Sequence, residues 1–419
     1  MQKKKWDLVA LAFIPLIMTL GNSMLIPILP QITHELGITS LQVSLFITVY
    51  GVVAIFLVPV AGYLSDKFGR KVVIIPSLII AGAGGALAGG AAWLGSGGSS
   101  LYWIILGGRL LQGIGAAGAF PIVIPLVGDM FKDEKEVSKS LGIIETSNTF
   151  GKVLSPIVGA LLGSLLWYLP FMAIPVLCLI SLMLVIFFVK VPKQQKEAPS
   201  LKRFLHSIVD IFKEKGRWLY AIFAIGCIGM FLIFGVQVFL SNELEDRYNI
   251  HGVVKGLVLA IPLGMLCLAS YFTGKKIGKN KKLMKWIGFT GMAMSAVSLF
   301  GAGFLYNIYL MIGLFVISGI GLGIILPCLD ALITEGISKE QRGTISSLYS
   351  GMRFIGLSAG PPVASLLMKN HHWILFTTLA VVSAAGAVIT LFAIRPQNNE
   401  EKSEVHAHGM TIKHAHSDD

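Results

Sequence analysis

Charge is what this sequence has least of. Only 13% of its 419 residues are Asp, Glu, Lys or Arg, and 54% are hydrophobic. Soluble domains carry about 25% charged residues, so an ordinary soluble domain is excluded and the chain is a polytopic membrane protein. Cysteine is scarce as well. Cys178, Cys227, Cys267 and Cys328 all lie inside apolar runs. Buried apolar thiols are expected there, and neither a disulfide framework nor a metal site is. The sequence has no nucleotide loop, no metal-ligand spacing and no nucleophile triad. It is therefore not read as an enzyme, implies no cofactor, and has no direct ATP drive. Nor does it open on a cleavable signal: 8–30 is too long for a signal's apolar core and lacks a small-residue cleavage site, so it reads as a first spanning helix.

What is present is a series of long apolar runs. A helix crosses the roughly 30 Å hydrocarbon core with about 20 residues. Twelve runs qualify: 8–30, 43–64, 72–94, 101–130, 140–165, 167–191, 218–241, 252–274, 283–305, 309–334, 343–368 and 373–394. An even number puts both termini on one side. Of the 34 Lys and Arg residues, 28 fall in the termini and loops of that side, and only Arg247, Lys255 and Lys369 fall opposite. Positive loops stay inside, so both termini are expected in the cytoplasm of a cell-membrane protein. The same placement explains the net charge of +12 by a lipid bilayer rather than by nucleic acid.

The longest polar break divides the chain. It gives an N-terminal six-helix bundle at 1–191, a cytoplasmic linker at 192–217, a C-terminal six-helix bundle at 218–395 and a polar tail at 396–419 that is expected to be disordered. In the linker, Leu201, Phe204, Leu205, Ile208, Ile211 and Phe212 recur at helical spacing among Lys202, Arg203, His206 and Lys213. That pattern predicts a basic amphipathic helix on the inner leaflet, with a solvated linker as the alternative. The tail carries His406, His408, His414 and His416, which on a flexible segment bind metal weakly. The two halves repeat each other. Gly113 and Gly115 correspond to Gly319 and Gly321, Pro121 to Pro327, and Asp129 to Glu335; one residue of slippage later, Gly151 meets Gly356 and Pro156 meets Pro361. Parallel halves of this kind place a substrate site near the midplane between them.

Between the second and third runs stands Gly62-Tyr63-Leu64-Ser65-Asp66-Lys67-Phe68-Gly69-Arg70-Lys71. Its bases hold a short turn at the inner face, and its glycines permit close approach and a tight turn. This run resembles the loop signature of the major facilitator superfamily, G-x-L-[SA]-D-[RK]-x-G-R-[RK], at every defined position. Gly274-Lys275-Lys276-Ile277-Gly278-Lys279 is a worn copy without the aspartate.

A charge at the bilayer centre costs at least about 2.5–3.5 kcal/mol, so each one needs a reason. The spans hold Arg109, Glu145, Lys152, Asp330 and Arg353. Arg109 and Gln112 share a helix face and resemble the family's fourth-helix signature, R-x-x-Q-G, associated with proton-coupled members. A guanidinium keeps its proton, so the role read for Arg109 is to act on a neighbouring carboxylate, or else to form a structural ion pair. Gly151, Ser155, Pro156 and Gly159 resemble the fifth-helix antiporter signature, G-x-x-x-G-P-x-x-G-G, with Ser155 and Ala160 in place of glycines. Small residues every four positions let another helix approach closely. Glu145, Asn148, Thr149 and Lys152 line one face of the same helix. Glu145 is placed about a turn and a half inside the cytoplasmic end. It is the first candidate to carry a coupling proton and Asp330 the second, with Arg353 a partner for Asp330; either acid could instead be fixed in a pair.

The resemblance covers nearly the whole chain to Arg395. It implies an all-α fold of twelve transmembrane helices in two pseudo-symmetric six-helix bundles. It also implies that Asp129 pairs with the loop bases, Arg70 above all, while Asp66 caps a helix of the other half, so that Gly62, Asp66, Gly69, Arg70, Lys71 and Asp129 form a conformational latch. It points to the twelve-span drug:proton antiporters. The opening and the fourth-to-fifth-span region are also similar to exporters of catecholate siderophores of the bacillibactin type. The expected partners are a small-molecule substrate and protons, and the chain is expected to act as a monomer. An importer or symporter of the same fold is the alternative. Asn22, Ser23, Phe46, Tyr50, Gln112, Asn148, Phe231, Phe234, Gln237, Tyr349 and Met352 are candidate substrate contacts.

Overall fold

The computed structural model describes residues 2–95, 98–131, 134–191, 201–277, 280–337, 339–368 and 372–394. The tail expected at 396–419 lies outside them. Among the described residues every regular element is helical: α1 (Gln2–Ser23), α2 (Leu29–Leu36), α3 (Ser40–Phe68), α4 (Arg70–Leu94), α5 (Ser99–Met130), α6 (Glu134–Leu165), α7 (Leu169–Phe188), α8 (Leu201–Asn242), α9 (Gly252–Lys276), α10 (Lys281–Ala302), α11 (Ile308–Gly336), α12 (Lys339–Leu367) and α13 (His372–Ala393).

Local chemistry sets the boundaries. Pro27 and Pro30 break the first span, which turns through a 3-10 segment at Ile26–Ile28 before resuming as α2. The span expected over 8–30 is thus interrupted by the 3-10 segment and continues to Leu36. A capping box starts α3: Gln42 N–H donates to the Thr39 hydroxyl at 3.2 Å, and Thr39 N–H donates back to the Gln42 side chain at 2.8 Å. Gly69 alone separates α3 from α4, at a φ of 104° that an L side chain rarely adopts. Gly216, with φ 42°, breaks α8 between the linker helix and the span. The side chains from 201 to 212 lie outside the described residues, so the linker's expected apolar stripe does too. Several helices extend past their apolar runs on the side of the basic loops, α6 from Glu134 and α12 from Lys339. Continuing the helix keeps backbone groups bonded where lipid gives way to water.

By length and composition ten helices could cross a membrane. The two helices that make up the rest of a twelve-span set, α6 and α12, are long enough but more polar; they carry Glu145, Lys152 and Arg353. Each packs across the middle of the molecule. α12 lies against α3 and α8, and α6 lies against α1 and α9.

The internal repeat is visible as equivalent packing. A Cβ on Gly113 would lie 2.5 Å from the Tyr50 carbonyl on α3, and one on Gly319 would lie 2.5 Å from the Pro262 carbonyl on α9. Gly151 meets Leu16 of α1 in the way that Gly356 meets Cys227 of α8. Counted by spans, these are fourth on second and fifth on first, in each half.

The face opposite the basic loops is closed. Ser241 on α8 donates to the Ile26 carbonyl at 2.8 Å, and Gly252 at the start of α9 abuts Ser164 at the end of α6. On the basic face, α3 approaches α12 at Gly62 and Ser347.

Candidate functional site

Between the halves, on the basic-loop side of that closure, lies a cavity. α1 contributes Met18, Thr19, Asn22 and Ser23; α3 contributes Tyr50; α5 contributes Ala116 and Phe120; α6 contributes Asn148 and Lys152; α8 contributes Met230 and Phe234; and α12 contributes Ser350, Arg353, Phe354 and Leu357. A smaller recess behind it is lined by Gln237 together with Ser23, Lys152, Pro156 and Phe234.

A polar chain runs along the cavity wall. Thr19 donates to Asn148 Oδ1 at 2.5 Å, and Asn148 Nδ2 donates to Glu145 Oε1 at 3.1 Å. Glu145 then faces Arg353 at 3.5 Å, across the two halves. The Arg353 guanidinium also lies over the Tyr349 ring, 5.6 Å from its centroid. Asp330 interacts electrostatically with Glu145, Arg353 and Lys152, so four of the five charges read in the spans form one cluster. Arg353 was expected to pair with Asp330; the ion pair at hand is with Glu145. Glu145 sits eleven residues into α6, which begins before its apolar run, and its side chain is 28% exposed. Lys152 is 5% exposed, and among the described residues its Nζ has no hydrogen-bond partner.

Arg109 departs from expectation. It is fully buried and faces no carboxylate among the described residues. Its Nε donates to the Phe46 carbonyl at 2.8 Å, its two Nη groups donate to Gln112 and Asn22, and its guanidinium covers the Tyr50 ring at 4.9 Å. The residue ties α1, α3 and α5 together. A lone cation is tolerable there because each of its three nitrogens meets an oxygen and its plane meets a ring.

Gly159 and Gly256 explain how α6 fits between neighbours. A Cβ on Gly159 would collide with the Met24 carbonyl, and one on Gly256 would sit 2.5 Å from the Pro156 carbonyl. The face with Gly151, Ser155 and Gly159 therefore packs on α1 of its own half, while Pro156 and Ala160 meet α9 of the other.

At the basic face, Arg70 holds Asp66 at 2.5 Å and Asp129 at 3.1 Å. Lys71 donates to the Ile186 and Val189 carbonyls at 2.9 Å each, capping the end of α7. These contacts lie within the first half. The Glu335 side chain lies outside the described residues. Gly62 faces Ser347, but an added Cβ would make ordinary contact at 3.7 Å, so clearance there does not demand glycine.

Of the candidate substrate contacts, Asn22, Ser23, Tyr50, Asn148 and Phe234 line the main cavity and Gln237 the recess. Phe46 is core, packed on Tyr102 and Phe171. Gln112 serves Arg109, and Tyr349 packs under Arg353 and against Phe223; Phe231 and Met352 are half-buried helix contacts. Sequence reasoning missed Met18, Thr19, Ser350, Phe354 and Leu357. They stand three or four residues from, or next to, Asn22 and Arg353, so helical phase anchored on those two polar residues would have found them.

Lys255, one of the three bases on the side opposite the basic loops, is buried in an ion pair. It lies in α9 with its side chain 2% exposed, 2.5 Å from Glu245 in a π-helical turn at Glu243–Arg247.

Comparison with known proteins agrees with this architecture. The chain is 52% identical over 400 residues to the bacillibactin exporter of Bacillus subtilis (strain 168), covering 95% of this chain and 99% of that one. It is 25% identical to the class C tetracycline resistance protein of Escherichia coli, covering 90% and 93%. Among solved structures, the human organic anion transporter MFSD10 matches with a TM-score of 0.73 at 16% identity, over 92% of this chain and 99% of that one, a likeness of fold. The family model of the Major Facilitator Superfamily matches residues 11–361 and 282–416. Twelve helical spans in repeated halves, a central cavity and these matches together make the chain a member of the major facilitator superfamily.

Proposed function

We propose that this protein exports a small organic molecule, a catecholate siderophore of the bacillibactin type above all, across the cell membrane in exchange for protons. The observation that carries the proton exchange is the Glu145–Arg353 pair, which joins the halves beside the cavity. The 52% identity along nearly the whole of both chains supports the siderophore as cargo. The basic face is read as cytoplasmic, with both termini there, so the contacts at the opposite face close the cavity on the outer side. Substrate enters from the cytoplasm. The 1–191 and 218–395 bundles, joined by the 192–217 linker, rock about the cavity within a monomer. A proton taken up by Glu145 or Asp330 from outside weakens the hold on Arg353 and resets the inward state. Arg70, Asp66 and Asp129 hold the inner ends of α3, α4 and α5 as one body during that change. The tetracycline resistance relative keeps a drug as a second cargo class.

The test is directional uptake into inside-out vesicles with an acid interior. Uptake of a catecholate siderophore that collapses when the gradient is dissipated supports the reading. Dye uptake without siderophore uptake makes the protein a drug exporter. Substrate flux in the importing direction overturns export.

A further inference from the structure

We propose that Lys152 selects the cargo: its ammonium takes an ionised oxygen of an aromatic ligand, so the cavity admits catecholates and rejects organic cations. This rests on the exporter reading above and names what recognises the cargo.

Little hydrogen-bonding capacity around the cavity is left free by the protein's own contacts. The described lining holds two cations, Lys152 and Arg353, and no Asp or Glu. Arg353 is occupied by Glu145. Asn148 has both ends of its amide engaged, with Thr19 and with Glu145. Asn22 Oδ1 accepts from Arg109, which fixes the amide and leaves Nδ2 as a donor with no partner among the described residues. Lys152 Nζ is likewise unpartnered, and Lys152 lines both the cavity and the recess behind it. Among the charged and amide side chains of the lining, the uncommitted groups are therefore donors. A buried donor without an acceptor is costly, and an ammonium more so than an amide. A ligand that brings an anionic oxygen removes that cost, whereas a cationic ligand adds repulsion in a poorly solvated space.

The rest of the wall fits a flat ring. Tyr50, Phe120, Phe234 and Phe354 surround the donors, and aromatic side chains stack on aromatic ligands.

The experiment measures binding to the purified full chain in lipid nanodiscs. The probes are an iron-free catecholate siderophore, its O-methylated form, and tetraphenylphosphonium. Wild type is expected to bind the catechol form at least about tenfold more tightly than the methylated form, the scale of a charge-assisted bond. In Lys152→Gln that preference should disappear, while tetraphenylphosphonium affinity stays or rises. Lys152→Arg should restore most of the preference. Equal binding of the two siderophore forms by wild type overturns the proposal even if Lys152→Gln fails to fold. An undiminished preference in a folded Lys152→Gln overturns it as well, and leaves the exporter reading intact. If wild type neither binds nor transports any catecholate, the proposed cargo and this inference fall together.

Discussion

Arg353 on α12 holds Glu145 on α6 at 3.5 Å, and the two helices belong to opposite halves of the molecule. The described helices too polar to pass as membrane spans by composition are the two that supply this pair. Both keep the polar face inward, against each other's half, where lipid does not reach it. The charge cluster therefore reports on whether the halves are together.

Asp330 lies within electrostatic reach of Arg353 and Lys152, so removing either acid alone leaves one counter-charge. Glu145→Gln and Asp330→Asn should each give a folded protein. The double variant leaves two buried cations uncompensated and should lose more stability than the singles sum to, by about 1 kcal/mol or more. Thermal unfolding of the four proteins checks this; strict additivity would show that the acids do not share the cations.

Arg109→Lys keeps the charge but not the fork. One ammonium cannot serve the Phe46 carbonyl, Gln112, Asn22 and the Tyr50 ring together. We expect the unfolding temperature and transport to fall together, with a loss of about 2 kcal/mol for the unmet groups. Wild-type stability with lost transport would instead mark Arg109 as a group that acts on the proton.

Gly159→Ala should destabilise by about 1–3 kcal/mol, because the new methyl meets the Met24 backbone and has no side chain to displace. Gly264→Ala meets nothing within 4 Å and should leave stability unchanged or slightly raised, as alanine is the better helix former. Calorimetry of the two variants separates packing from helix propensity.

Lys255→Met strands Glu245, which is 14% exposed, and should cost about 3 kcal/mol. Adding Glu245→Gln should recover most of that loss. The comparison is read from chemical unfolding, and a double variant as weak as the single would show that the pair does not account for the effect.

How much of this was legible depends on how locally each feature is encoded. Gly69 was legible because a one-residue break between two helices requires a positive φ, whatever surrounds it. The charges in spans were legible because lipid makes each one expensive. The repeat was legible in Gly113 and Gly319 and appears as matching helix contacts. Partners were not legible: sequence spacing says nothing about contacts between halves, so the meeting of Arg353 with Glu145 had no signal. Helix rotation was not legible for Phe46, Gln112 and Tyr349, which point into packing. The Lys255–Glu245 pair was not legible because the helix boundary near Gly252 gives no sign of which face the next turn presents.

The most direct measurement is proton release from the purified protein in weakly buffered solution when a catecholate siderophore is added. Exchange of cargo for protons at one cluster predicts release by wild type and its loss in Glu145→Gln or Asp330→Asn with the ligand still bound. Binding by wild type with no proton released across the pH range would contradict the account.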